Sequence, residues 1–419
     1  MAKKLLVLCL LLNAWQSFAN SILIPMDDSQ SNHLKAYGIA YQHLQANIEL
    51  DWLINYRGGS FLFDYTPTLQ KECLIRGVAF EVLSSASVQT IKREISDPDV
   101  NMEMVRLFKA AKIAVYSPVK ISLSNFEDTD AVLLALKYAE IPFEVIYDEE
   151  IIRGDLAKYD WLHLHHEDFT GQFGKNMRRM SPADMKAQED IARRLNYRKI
   201  SSLKLDVAKM IKMFCMGGGY LFAMCSGAET LDIALSAENT DIVSSRFDGD
   251  DIDAQAQSKL DFDKTLAFHN FNLSLNDNEG YYGSMSFSDI NVWSGRFDDE
   301  ITSYFNLFEF SAKWDVIPAM LCQNHEHLIR EFMGQTSSFN KKTVKPNVLV
   351  MGEGRESDRY IYGELGLGQW VFYGGHDPEG RRGFHRIPTD LNLFPHSPGY
   401  RLILNNVLFP SAKKKKRKT

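Results

Sequence analysis

Apolar residues fall along the chain in short runs separated by stretches of helical spacing. The first run, Ile22-Leu23-Ile24-Pro25-Met26, closes on the polar turn Asp27-Asp28-Ser29. Between Asn32 and Gln45, Leu34, Tyr37, Tyr41 and Leu44 share one face at the 3.6-residue period and predict a helix. Trp52-Leu53-Ile54 predicts a strand ending in Arg57-Gly58-Gly59-Ser60, a stretch without the lysine and spacing of a phosphate loop and therefore read as a turn. A helix near residues 69–76, a strand over 79–83 and a helix near 88–95 complete an N-terminal α/β unit over residues 20–105. Strands that alternate with helices predict a mostly parallel sheet.

A second series runs over residues 106–410. Ile113-Ala114-Val115-Tyr116 has the unbroken apolarity of a buried strand, and 130–140 carries a helical pattern. Strands follow at 143–147 and 161–164. Ser181-Pro182-Ala183-Asp184 opens a helix with a hydroxyl cap, a proline at the first helical position and an early carboxylate. Another helix over 205–214 leads through Gly217-Gly218-Gly219 to a strand over 220–224 and a helix from about Ala228 to Leu235. From 236 to about 311 the periodicity fades into short β-like pieces and acidic turns, which reads as an insertion. Strands at 348–351 and 369–373 and a closing helix over 400–408 restore the pattern. The expectation is an α/β fold with a doubly wound, mostly parallel sheet and the smaller N-terminal unit beside it, with ligand sites at the carboxyl ends of strands.

Composition narrows the classes. Hydrophobic residues at 45%, aromatic at 12% and charged at 24% are globular values. The net charge of −7 conceals two basic ends, Lys3 and Lys4 at the start and Lys413 to Lys416, Arg417 and Lys418 at the finish. Without those eight residues the body has 39 basic against 54 acidic side chains, which argues against a nucleic-acid groove. Residues 1–19 have the parts of a secretory signal: two lysines, an apolar stretch from Leu5 to Leu12, and Ser17 and Ala19 before the expected cleavage. No later apolar run reaches the roughly 18 residues of a membrane span. An exported chain, in the periplasm or at the cell surface, is the expectation, with the tail at 411–419 offering contact to the envelope. Cys73, Cys215, Cys225 and Cys322 remain beyond the leader and form no C-x-x-C pair.

One of these cysteines sits in a distinctive place. In Tyr220-Leu221-Phe222-Ala223-Met224-Cys225-Ser226-Gly227-Ala228-Glu229, an apolar strand delivers a thiol to small residues and then directly to a helix. A tight strand-to-helix turn exposes a nucleophile, the helix N-terminus favours its thiolate, and N–H groups near Ser226 and Gly227 can hold an oxyanion. His376 ends a second apolar strand, in Trp370-Val371-Phe372-Tyr373-Gly374-Gly375-His376-Asp377-Pro378-Glu379, and is expected on the same sheet edge as Cys225. Asp377 and Glu379 are the carboxylates available to orient its imidazole.

On these residues the stretch from Lys112 to Pro410 resembles class I glutamine amidotransferase-like domains of flavodoxin-like architecture. The resemblance implies Cys225 as nucleophile, His376 as base and Glu379 as orienting acid. His-Asp-Pro-Glu is one residue longer than the family's His-x-Glu, so Glu379 and Asp377 both stay open as the third member. The whole chain also resembles exported bacterial proteins often labelled asparagine synthetase B, through 24–27, 56–61, 159–168 and 374–379. ATP-dependent asparagine synthesis does not follow from that label. Ala2, not cysteine, follows Met1, and Ser226-Gly227-Ala228-Glu229-Thr230 is not the SGGxDS loop of such synthetases.

His163, His165, His166, Glu167 and Asp168 form the densest ligand-type cluster. His165, His166 and Glu167 are read as a substrate-facing rim opposite the elbow, and His163, His165, His166 and Asp168 as a weaker metal candidate. Asp248-Gly249-Asp250-Asp251 is a faint calcium-like signal. The leading expectation is an exported thiol hydrolase acting on a small amide-containing substrate, with no cofactor. The alternatives are a non-catalytic ligand-binding module and a metal-dependent enzyme centred on His163, His165 and His166.

Overall fold

The computed structural model describes residues 19–118, 130–172, 182–275, 287–292, 304–315, 326–330, 338–379 and 388–412. The leader (Ala19 excepted), Cys322 and the basic run 413–418 lie outside the described residues. Those described fall into two units. The first takes in 19–110 with 309–315 and 411–412, the second 111–308 and 326–410 within the same limits. Among the described residues no helix is long and apolar enough to cross a membrane.

The first unit is built on β1 (Ala19–Ile24), β2 (Leu50–Ile54), β3 (Ser60–Asp64), β4 (Glu81–Ser84) and β5 (Glu103–Leu107), in the order β4-β1-β3-β2-β5. Every pairing in this sheet is antiparallel, against the parallel expectation. For β2 and β3 the short connection is the physical reason, because a parallel pair needs a crossover of a dozen residues or more. Between β2 and β3 the chain reverses over Asn55, Arg57, Gly58 and Gly59, which have φ of 61°, 47°, 77° and 92°. A side chain at Gly58 would place its Cβ 2.1 Å from the Met26 carbonyl oxygen, so only glycine fits. Arg57 locks the turn through Asp27 at 2.7 Å and Glu81 at 2.6 Å. Helices α1 (His33–Gln45), α2 (Pro67–Arg76) and α3 (Ser85–Ser96) accompany the sheet, each begun by a polar cap at Asn32, Thr66 or Ser84.

The second unit holds β6 (Ile113–Tyr116), β7 (Glu144–Ile146), β8 (Trp161–Leu164), β9 (Tyr220–Met224), β10 (Tyr304–Leu307), β11 (Leu328–Arg330), β12 (Phe339–Asn340), β13 (Leu349–Glu353), β14 (Ser357–Leu365) and β15 (Gly368–Tyr373). Their order is β11-β10-β13-β14-β15-β9-β8-β6-β7, with β12 beside β14. The pairings from β15 through β9, β8 and β6 to β7 are parallel, and all the others are antiparallel. This corrects the expectation of a flavodoxin-like, doubly wound and mostly parallel sheet. The fold is a mixed α/β one in which antiparallel pairings outnumber parallel ones across the two sheets. The difference arises largely at β14, a nine-residue strand whose Ser-Asp-Arg-Tyr start disguises it, though Ser357 to Gly363 are all buried. It returns into β15 through Gly366 (φ 61°) and Leu367, a tight hairpin that fixes the antiparallel sense.

Around this sheet lie α4 (Ala131–Tyr138), α5 (Asp148–Ile152), α6 (Pro182–Arg194), α7 (Ile200–Met216), α8 (Cys225–Ser236) and α9 (Pro398–Leu408). Every residue of α8 is buried, so this helix runs through the core. The core gathers Leu162, Leu164, Leu221, Ala223, Leu231, Trp370 and Phe372 with the apolar faces of α7 and α8.

Candidate active site

Three neighbouring parallel strands end together. In register, Tyr373 of β15 lies opposite Met224 of β9, and Ala223 of β9 opposite Leu164 of β8. The residues that follow, His376, Cys225 and His165, therefore emerge side by side at one sheet edge.

Cys225 is the first residue of α8 and has φ of 49°, while Met224 before it is extended. A non-glycine residue in this left-handed region carries strain of about 1–3 kcal/mol, which the surrounding fold must sustain. The strain places Sγ 3.1 Å from His376 Nε2. A thiol and an imidazole at that separation can exchange a proton directly. Cys225 itself is only 2% exposed.

The sequence named Ser226 and Gly227 as oxyanion donors. The Gly227 N–H is already engaged, donating to the His165 carbonyl at 2.8 Å. Of the two, the first-turn N–H of Ser226 is the one left to the elbow. Gly227 is also tightly enclosed, since a Cβ there would lie 2.8 Å from the His165 oxygen and 3.1 Å from Glu167 Oε2. The β8 loop is thus pressed against the start of α8.

That loop is organised by a residue the sequence reading assigned only to a helix start. Asp130 caps α4, with Oδ1 accepting from the N–H groups of Val132 (2.8 Å) and Leu133 (3.0 Å). Its Oδ2 accepts from His163 Nε2 at 3.0 Å and His165 Nδ1 at 2.7 Å. Burial pushes the Asp130 carboxyl up, but the two imidazoles outweigh it and hold the group well below its ordinary value. His163 in turn is raised: burial works against its charge, and the Asp130 carboxylate overcomes it. His163 Nδ1 meets the Phe222 carbonyl at 3.2 Å, so this histidine is satisfied on both sides as part of the core. The sequence signals Asp130 only as a helix cap, an aspartate directly before an apolar helical run, and not as a partner of the histidines.

His165, His166 and His376 cluster. The rings of His165 and His166 stack with centroids 3.6 Å apart, and His376 lies 4.6 Å from His166 and 5.5 Å from His165. Burial, then the proximity of His165 and His376, holds His166 well below its ordinary value. Glu167 is pushed up to about 7 by burial. Asp168 Oδ1 accepts from Thr170 N (2.8 Å) and Oγ1 (2.5 Å) in a local turn. The metal set proposed from sequence is thus rearranged: His163 and Asp168 are otherwise engaged, and His376 joins His165 and His166.

Of the two acids beside His376, Asp377 accepts from Tyr400 Oη at 2.8 Å, from Thr389 Oγ1 and from the Glu379 N–H at 2.9 Å. It ties the β15 loop to α9. Glu379 contributes its N–H to the same anchor, and both carboxylates stay open as the acid that orients His376. The calcium-like loop is filled by an ammonium, with Lys199 Nζ 2.6 Å from Asp241, 3.0 Å from Asp248 and 2.6 Å from Asp250. Cys73, Cys215 and Cys225 form no disulfide among the described residues, and burial pushes Cys73 and Cys215 up to about 12.

No protein-family description matches the chain, and no curated protein does. Among solved structures, two cytoplasmic proteins of Salmonella typhimurium align over 72% of this chain and 100% of theirs, at 11% and 12% identity and a TM-score of 0.37 each. A β-galactosidase from Bacillus circulans sp. alkalophilus aligns over 74% of this chain and 32% of its own, at 12% identity and a TM-score of 0.27. Likeness at this level transfers neither fold nor activity to this chain.

Proposed function

We propose that this chain is a thiol-dependent hydrolase of a small amide. The observation that supports it is Cys225, held at φ 49° on a strand-to-helix turn with Sγ 3.1 Å from His376 Nε2. Strain at a single buried cysteine, aimed at a histidine from another strand, is the arrangement a nucleophile needs. In the reaction the Cys225 sulfur attacks the amide carbonyl while its proton passes to His376. His376 then protonates the leaving amine, and the C–N bond breaks to give a thioester. Water, deprotonated by His376, cleaves the thioester and restores the thiol. The Ser226 N–H is the elbow's donor to the oxyanion. Glu379, with Asp377 held by Tyr400 and Thr389, is the acid we assign to orienting His376.

The test is ammonia release from a panel of primary amides, glutamine and asparagine included, by the full chain. Turnover should vanish in Cys225→Ala and fall roughly 100-fold or more in His376→Ala. Turnover that survives Cys225→Ala would overturn the reading.

A further inference from the structure

We propose that His165, His166 and His376 bind a divalent transition metal of the zinc class, with the Cys225 thiolate as fourth ligand. The ligand atoms of the three histidines lie within 4.8 Å of one another. Drawing them onto one ion requires nitrogen separations of roughly 3.4 Å, the edge of a tetrahedron with zinc–nitrogen bonds of about 2.0–2.1 Å. The movement is small for side chains at the ends of strands.

Two observations beyond the cluster point to a ligand. His165 is 7% exposed, and its Nδ1 is committed to Asp130 Oδ2 at 2.7 Å. Its Nε2 is buried and has no hydrogen-bond partner. In the neutral ring, a proton on Nδ1 facing the carboxylate leaves the lone pair on Nε2. A buried polar atom normally has a partner, so an unmet Nε2 calls for one. Secondly, a carboxylate behind a ligating imidazole is the outer support that metal-binding histidines use, and it fixes both tautomer and ring orientation. Asp130 is already in that position. Cys225 Sγ is not within that 4.8 Å group but lies 3.1 Å from His376 Nε2, so the donor set of the proposal is three nitrogens completed by one sulfur. That set suits zinc or cobalt(II) and not calcium or magnesium, which take oxygen.

Binding displaces the thiol proton to solvent and changes no oxidation state. It occupies both Cys225 and His376, so the metal-loaded chain holds its thiol silent and the metal-free chain releases it. This silencing rests on the proposed function, whereas the metal site itself does not.

The experiment is a titration of the chelator-treated full chain with Co²⁺, then Zn²⁺, read by absorbance and calorimetry. One equivalent of Co²⁺ should bind, with the intense visible bands of a four-coordinate ion and a thiolate-to-metal band in the near ultraviolet. Cys225→Ala should keep the ion and lose the thiolate band. His165→Gln and His166→Gln should each weaken binding about 10-fold or more, and Asp130→Asn about 10-fold, with circular dichroism showing the fold retained. No bound ion, or binding unaltered by His165→Gln and His166→Gln, overturns the site. A Cys225 that alkylates in a His376-dependent way without any metal binding leaves the hydrolase standing and the metal site refuted. Metal bound through Cys225, with the metal-free thiol inert, does the reverse.

Discussion

Asp130 serves two elements with one carboxylate. One oxygen caps α4 and the other accepts from His163 and His165, and all three groups are buried. Replacing it by alanine removes the helix cap and leaves two buried imidazole N–H groups facing nothing. We expect Asp130→Ala to cost about 3–5 kcal/mol in urea unfolding, on the scale of breaking a buried charged network. A cost below about 1 kcal/mol would mean that the histidines re-pair and that Asp130 does not organise the loop. At this scale the sequence was partly readable. Cys225 and His376 stood out because each follows an apolar strand among small residues. Asp130 did not, because its partners are 33 and 35 residues away and no local spacing joins them. Asp377 was legible only as a neighbour of His376, and its donors Thr389 and Tyr400, 12 and 23 residues further on, were not.

At the scale of elements, the site depends on how closely the β8 loop can approach α8. Gly227 permits that approach: its N–H reaches the His165 carbonyl, and no room remains for a Cβ. Gly227→Ala would force the loop and the helix start apart. The expected outcome is a loss of about 1–3 kcal/mol together with a slower reaction of Cys225 with iodoacetamide, as the elbow shifts. Unchanged stability and reactivity would show that the contact gives way freely. The strands that carry the site, β8, β9 and β15, were legible because strands buried on both faces are continuous apolar runs. β3, β5 and β14 were not, as β5 and β14 interleave charged residues with apolar ones and β3 follows its neighbour through a turn of left-handed residues. Missing them turned two largely antiparallel arrangements into a parallel expectation.

At the scale of the whole molecule, the acidic body has a consequence for pH. Burial pushes Asp232 up to about 6 from an ordinary 3.8, although it accepts from the N–H groups of Leu266, Ala267 and Phe268. Burial likewise raises Asp358 to about 6. The folded chain therefore holds these protons more tightly than the unfolded one. Their contribution to stability is complete below the ordinary carboxylate value and is lost as pH rises through about 6. The melting temperature should be higher at about pH 5 than at about pH 7.5. In Asp232→Asn that difference should shrink, and a difference identical to the parent's would refute the assignment.

The central claim is the Cys225–His376 pair, and its most direct measurement is site-resolved alkylation of the metal-free folded chain by iodoacetamide at neutral pH. Peptide mapping gives each cysteine its own rate. Cys73 and Cys215, pushed up to about 12, are the internal controls. The account predicts that Cys225 reacts at least about 10-fold faster than either, and that His376→Ala removes most of that advantage. A Cys225 as inert as Cys73 and Cys215, or one whose rate ignores His376→Ala, would contradict it.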